Sequence, residues 1–278
     1  GGGPGERLTG RREALGGNRA GVSDPSLPLL KLVSPEDGSP IGALMAFGCH
    51  PVTGGDPETT FYQYSPDWVG YAREVIEQIV GCPAAVMAGA CGDQVPIQRR
   101  AGWRERVGHS VGAEALRVWE GLIGESIGPL RVGSVTAKVP VRDLPSVEEA
   151  QAALDAKDDP QGTGAVSERN MLNMAKQYAH LDFMEYEIWA MGLGDQFGLV
   201  GLPGEILDEI SLQIKQQSPF EHTAVVELAL ESPGYFSTDA AMAEGGYEPT
   251  WSFPGEGTEA ALVAAGVAAL KKASGYAF

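Results

Sequence analysis

"IGALMAFGCHPVTGGDPETT", residues 41–60, holds an apolar run that stops at Gly48-Cys49-His50-Pro51 and gives way to a loop rich in Gly, Thr and Asp. A short apolar run bounded by turn residues reads as a buried strand. The chain has only four histidines, and this one stands where the strand opens into a loop. That position suits a packed core histidine, a general base or a metal ligand.

Working outward from this strand, the order of elements reads as α/β, a mixed β-sheet core flanked by helices. "LPLLKLVSP" (27–35) and "PIGALMAFG" (40–48) are apolar runs separated by the hairpin signal "EDGS". A helix follows, with Ser65 as N-cap, Pro66 at its first position, and Val69, Ala72, Val75, Ile76 and Ile79 along one face. "PAAVMAG" (83–89) is a short buried strand running into the turn "GACGDQVP". A long helix spans about 103–123, and residues 130–141 alternate as a strand. Residues 146–185 read as helices around the polar break "DAKDDPQGTGAVSE", a candidate insertion. A hairpin turned at Gly194-Asp195 leads into "GLPGE", then come a helix to Gln217, a strand over 222–230, an irregular loop over 231–258 and an Ala-rich helix. No repeat or linker divides the chain, so residues 1–278 read as a single domain.

A net charge of −17 excludes a nucleic-acid partner, because phosphate binding needs a basic stripe and only "RRAGWRER" (99–106) is basic. No apolar run is long enough to span a bilayer, and no signal-peptide pattern opens the chain. Cys49, Cys82 and Cys91 are too few for a disulfide framework.

Three loops leaving strand ends carry residues that do chemistry: "GCHPV", "GACGD" and "GLPGE". His50 and Glu205 are of the types that bind catalytic zinc, yet no HExxH-type motif joins them. On spacing alone a core histidine and a first-turn glutamate at a helix dipole are the simpler readings. Asp93 reads most simply as an Asx-turn residue. His109, His180 and His222 read as surface or packing residues. No GxSxG elbow or other nucleophilic serine context is present.

Taken in order, the segments resemble one family, the neutral/alkaline non-lysosomal ceramidases, over their catalytic domain. The likeness runs from Asn18-Arg19 to about residue 253, through "GALMAFGCHPV", "YSPDWVGYARE", "AGACGDQVP", "GLVGLPGEI" and the tyrosine segments "SPGYFST" and "EGGYEPT". The resemblance implies a ceramidase-like fold and a zinc-dependent amidohydrolase using metal-activated water. It implies His50, Glu205 and Tyr235 as zinc ligands, with Tyr247 and Arg19 as catalytic residues beside the metal. Gly89 and Asp93 would lie toward the substrate, Gly89 standing where ceramidases carry a serine tied to ceramide handling. That departure points to an amide other than ceramide, small or lipid-like.

The family's first zinc histidine lies upstream of its "NR" motif, whereas no histidine precedes His50 here. The chain also lacks an initial Met. Together these features imply a processed or two-chain protein, with a partner chain supplying the N-terminal part and a further zinc ligand. The family resemblance suggests a secreted or periplasmic protein, and the unpaired-looking cysteines lean the other way. The alternative functions are a non-catalytic subunit or binding module of the same fold, and a metal-dependent lactonase or esterase. Phe61, Tyr62, Tyr64, Phe236, Trp251 and Phe253, in two long loops, suit either an apolar substrate groove or loop anchoring.

Overall fold

The computed structural model of the chain describes residues 21–54, 63–99, 102–124 and 126–275. The opening hairpin forms as the sequence indicates: β1 (Leu29–Val33) pairs antiparallel with β2 (Pro40–Phe47), and Leu29 faces Met45. β2 leads through the His50 loop into α1 (Asp67–Ile79) and then to β3 (Ala84–Ala88), which lies parallel to β2. This is a βαβ unit, and α2 (Trp103–Gly121) packs along α1. Ala43, Met45, Ile76, Cys82, Ala84, Ala115 and Trp119 form the core between sheet and helices.

The second sheet begins with β4 (Leu130–Pro140). The excursion that follows contains α3 (Val147–Asp155) and α4 (Val166–Tyr178), and it ends before β5 (Phe183–Leu193), three residues earlier than the sequence indicates. Ser146 and Glu149 form a reciprocal capping box at the start of α3. Ala150, Leu154, Ala165, Leu172 and Ala175 form a small core between the two helices. β6 (Phe197–Gly201) completes the hairpin with β5. Next come β7 (Glu205–Ile206), α5 (Asp208–Gln217) and β8 (His222–Val226), which runs parallel to β6. The sheet order is β4-β5-β6-β8. The Gly89–Val226 bridge links it to the end of β3. β9 (Tyr235–Phe236), α6 (Asp239–Glu244), α7 (Tyr247–Thr250) and α8 (Thr258–Ser274) follow, and α8 crosses β4, β5 and β6 beside α5.

The fold is therefore α/β with mixed sheets, as expected, but four local expectations change. The buried stripe of α1 is Trp68, Ala72 and Ile76, while Ile79 is 62% exposed because the helix end leaves the sheet. The helix starts at Asp67, one residue later than read. Ser65 still accepts a hydrogen bond from the Asp67 N–H, and Asp67 adopts φ +50°. The strand read over 222–230 stops at Val226, since Leu228 and Leu230 take positive φ and break the ladder. The segment read as an irregular loop instead contains a two-residue strand and two short helices. No described helix is long and apolar enough to cross a membrane.

Two polar anchors fix the elements around the site. Asp67 is buried and accepts from Thr53 N–H (3.3 Å), Thr53 Oγ1 (2.5 Å), Gly54 N–H (3.2 Å) and Trp68 N–H (2.7 Å), tying the loop after His50 to the start of α1. Trp68 Nε1 donates to the His50 carbonyl at 3.3 Å. Asp67→Ala should cost about 2–4 kcal/mol, because it strands several buried donors at once. Thr53→Val should cost about 1 kcal/mol, having removed one bond. Urea unfolding of both variants measures the difference, and equal costs would contradict the anchoring role.

The second anchor is strained. Asp208, 1% exposed at the start of α5, accepts from the Asp24 N–H, while its other oxygen has no protein partner. Lys215 pairs with Asp24 rather than with Asp208. Burial, with Asp93 and Asp24 adding repulsion, pushes the Asp208 carboxyl from 3.8 to about 6. The folded chain thus holds a proton there that the unfolded chain releases near pH 4. Stability from this group is full below pH 4 and is lost as pH rises toward 6, an upper cost of about 3 kcal/mol at neutral pH. Asp208→Asn keeps the acceptor and removes the charge. It should stabilise the fold at pH 8 by about 1–3 kcal/mol and give little gain at pH 4. A gain equal at both pH values would rule out the charge as the cause.

Candidate metal centre and adjoining cavity

β2 delivers His50, and the turn after β3 delivers the group that orients it. The Cys91 carbonyl, which can only accept, lies 2.5 Å from His50 Nδ1, so Nδ1 carries the proton. Nε2 then points at Glu205 Oε2, 2.8 Å away. The His50 backbone N–H donates to the Gln94 carbonyl at 2.9 Å, which fixes the main chain as well. The two side chains are only 18% and 24% exposed.

Glu205 and Tyr235 meet through backbone pairing that sequence spacing does not reveal. β7 and β9 are parallel, with Glu205 opposite Tyr235 and Ile206 opposite Phe236. Glu205 N–H donates to the Gly234 carbonyl (2.9 Å), Gly204 N–H to the Glu231 carbonyl (2.9 Å) and Leu228 N–H to the Gly204 carbonyl (2.9 Å). Gly204 has φ +62°, and a Cβ there would come within 2.4 Å of the Gly234 carbonyl oxygen. Glycine is required for that approach. This pairing sets the Tyr235 phenol beside the Glu205 carboxylate.

Charge is shared across this cluster. Burial works against the His50 imidazolium, but Glu205, Glu227 and the Cys91 carbonyl outweigh it and hold its pKa above the ordinary value. Burial would raise the Glu205 carboxyl, yet bonds from His50 and Tyr235 bring it below its usual range. Burial and then the Glu205 charge push the Tyr235 phenol up. His50, Glu205 and Tyr235 therefore act as one coupled group.

Glu227 lies behind this group, 6% exposed. Its Oε2 accepts from Cys91 N–H (3.0 Å) and Ile206 N–H (2.9 Å), and its Oε1 from the Cys91 thiol (2.9 Å). Donor atoms of His50, Cys91 and Glu227 all lie within 4.8 Å of one another, a second possible set of metal donors. Its chemistry suits a metal less well. The Cys91 thiol is pushed well up by burial and by Glu227, which favours the protonated donor over a ligating thiolate. Both Glu227 oxygens are also already engaged. His50 Nε2 and the Glu205 carboxylate, with Tyr235 beside them, are the other candidate donors, a nitrogen and an oxygen of the kind zinc accepts.

Glu205, Tyr235 and Tyr247 line a cavity of about 460 Å³. Tyr247, 45% exposed, stands with its ring centroid 5.9 Å from that of Tyr235 at 77°, and 5.9 Å from that of Trp251. Trp251 and Phe253 continue this aromatic wall, and Tyr178 stacks on Phe253 at 4.5 Å. Asn170, Asn173 and Gln177 of α4 form a carboxamide wall, so the excursion read from sequence as an insertion contributes to the cavity.

The remaining sequence candidates separate. Asp93 lies outside the cavity lining, and its Oδ1 accepts from the Asp208 N–H at 3.1 Å at the head of α5. Gly89 packs on the backbone of Phe47 and Gly48, where a Cβ would approach the Gly48 nitrogen to 2.7 Å, and it too is absent from the lining. Arg19, Phe61 and Tyr62 lie outside the described residues. Of the other loop aromatics, Phe236 is fully buried and Tyr64 fully exposed. His109, His180 and His222 are exposed, which selects the surface alternative over packing. Sequence reasoning passed over Glu227 and the α4 carboxamides. The available signals were a single acid in the apolar run "TAVVELAL" and polar residues at 170, 173 and 177 on one helix face.

Comparison with known proteins gives a fold and little else. No protein-family model and no curated protein matches the chain. Among solved structures, the neutral ceramidase from Pseudomonas aeruginosa matches with a TM-score of 0.66 at 19% identity, over 88% of this chain and 46% of that one. A ceramidase complexed with C2 matches with a TM-score of 0.63 at 17% identity, over 88% of this chain and 47% of that one. The chain thus spans less than half the length of either. In fold, it is a neutral ceramidase-like domain.

Proposed function

We propose that this chain is a zinc-dependent hydrolase that cleaves an amide bond in a small or lipid-like substrate. The observation that carries the reading is the convergence of His50 Nε2, the Glu205 carboxylate and Tyr235, the last two of which line a cavity of about 460 Å³. The likeness in fold to two ceramidases supports it. Three protein donors match the usual complement of a catalytic zinc site, which keeps a position open.

His50, Glu205 and Tyr235 would hold the ion. When bound, zinc supplies Lewis acidity toward a carbonyl oxygen and lowers the pKa of water. The Nδ1–H bond to Cys91 keeps the His50 Nε2 lone pair directed at the site. Glu205 offers a carboxylate held by two neighbouring side chains. Tyr247, on the cavity wall, offers a phenolic O–H to the oxyanion that develops on the scissile carbonyl. The aromatic wall takes the apolar part of the substrate, and the α4 carboxamides take its polar part. No cationic side chain lines the cavity among the described residues, so neutral amides are favoured over anionic ones.

The protein purified without chelators should carry about one zinc per chain, and His50→Ala and Glu205→Ala should abolish it. Metal analysis decides the point, and a chain that takes up no zinc sinks the reading. On a panel of N-acyl amides, esters and lactones, Tyr247→Phe should retain zinc and lose about 10²–10³-fold in kcat. Turnover of esters or lactones alone would move the assignment to an esterase.

A further inference from the structure

We propose that Glu227 is the positioning residue of the metal centre: its buried carboxylate clamps the two ligand-bearing loops together through backbone N–H groups, without binding the metal itself. The inference rests on the zinc reading above and adds to it a residue outside the ligand set.

The geometry is a closed path. Glu227 Oε2 accepts from Cys91 N–H at 3.0 Å, and the Cys91 carbonyl fixes His50 Nδ1 at 2.5 Å. The same oxygen accepts from Ile206 N–H at 2.9 Å, one residue after Glu205. A third link, from Gly92 N–H to the Ile206 carbonyl at 2.9 Å, joins the two loops directly. The Glu227 backbone N–H is itself held by the Ala88 carbonyl at 3.0 Å, at the end of β3. A link thus runs from β3 through Glu227 to both His50, which follows β2, and Glu205, in β7. A carboxylate is not buried at 6% exposure without compensation, and here three donors supply it. Groups of this kind behind metal ligands typically change metal affinity about 10–100-fold when removed.

Alternatively, Glu227 and Cys91 could ligate a metal together with His50, and the variants distinguish the two roles. Glutamine at 227 keeps one oxygen able to accept both N–H groups, and serine at Cys91 keeps the backbone N–H and carbonyl. Zinc affinity is measured by competition with a chromophoric chelator, and the Co²⁺-substituted protein is followed by its d–d spectrum. Circular dichroism confirms that each variant is folded at the assay temperature. Glu227→Ala should bind zinc about 10–100-fold more weakly and alter the Co²⁺ spectrum, while Glu227→Gln and Cys91→Ser stay within about threefold of the original protein. Glu227→Asp, too short to reach both N–H groups, should show an intermediate loss and serves if the alanine variant does not fold.

Unchanged affinity in Glu227→Ala, or in Glu227→Asp where it stands in, overturns the clamp and leaves the zinc reading standing. Loss of zinc in Glu227→Gln and Cys91→Ser alike, with a thiolate charge-transfer band in the original Co²⁺ protein, makes them ligands and also overturns it. Failure of the original protein to bind zinc at all removes the metal centre and the clamp together.

Discussion

A buried carboxylate, Glu227, ties together the two loops that carry His50 and Glu205. His50 rides on the sheet formed by β1, β2 and β3, whereas Glu205 and Tyr235 belong to the segments that leave β6 and β8. Contact between the sheets depends on the short Gly89–Val226 bridge and on side-chain packing of Ala46 and Met87 against Leu199, Ala224 and Val226. Apolar packing of this sort is non-directional and does not set the distance between two polar side chains to tenths of an ångström. Hydrogen bonds from Cys91 and Ile206 to one carboxylate do set it. The close approach of His50 to Glu205 follows from that constraint.

The cost of the arrangement is local. The carboxylate at position 227 sits in a poorly solvated space, 6% exposed. Burial accordingly drives the Glu227 carboxyl up despite the bonds to Cys91 and Ile206 and the nearby His50 charge. Asp208, three residues after Glu205, carries a similar cost without an equal set of donors. Buried carboxylates with raised pKa values close to a candidate metal centre are typical of sites whose geometry serves chemistry more than stability.

The excursion between β4 and β5 takes on a meaning that its composition did not announce. α3 and α4 have a small core of their own, yet Met174 packs into the main core and Tyr178 stacks on Phe253. These contacts hold the carboxamide face of α4 opposite Tyr235, Tyr247 and Trp251. Substrate selection would thus depend on a helical pair inserted between two strands, separate from the loops that carry the metal donors. Such a division lets one side of the cavity vary without disturbing the other.

Sequence by itself determined the class of the fold and the identity of most candidate donors. Period-two apolar runs, the "EDGS" turn and the Pro and Ser signals before α1 are local features whose physics acts over a few residues. They located most of the strands and helices. The ordered run of motifs added His50, Glu205, Tyr235 and Tyr247 as candidates. Their convergence was decided only by tertiary structure, because the parallel pairing of β7 with β9 spans thirty positions, from Glu205 to Tyr235, with no periodic pattern to mark it. Positive φ at Leu228 and Leu230 also ended a strand that the apolar pattern would have continued. Asp93 and Gly89 show the converse: their motif is local, but their role depends on what packs against them, the head of α5 for one and the backbone of Gly48 for the other. Glu227 was visible as an acid among apolar residues, and only the fold revealed that two distant N–H groups would meet on it.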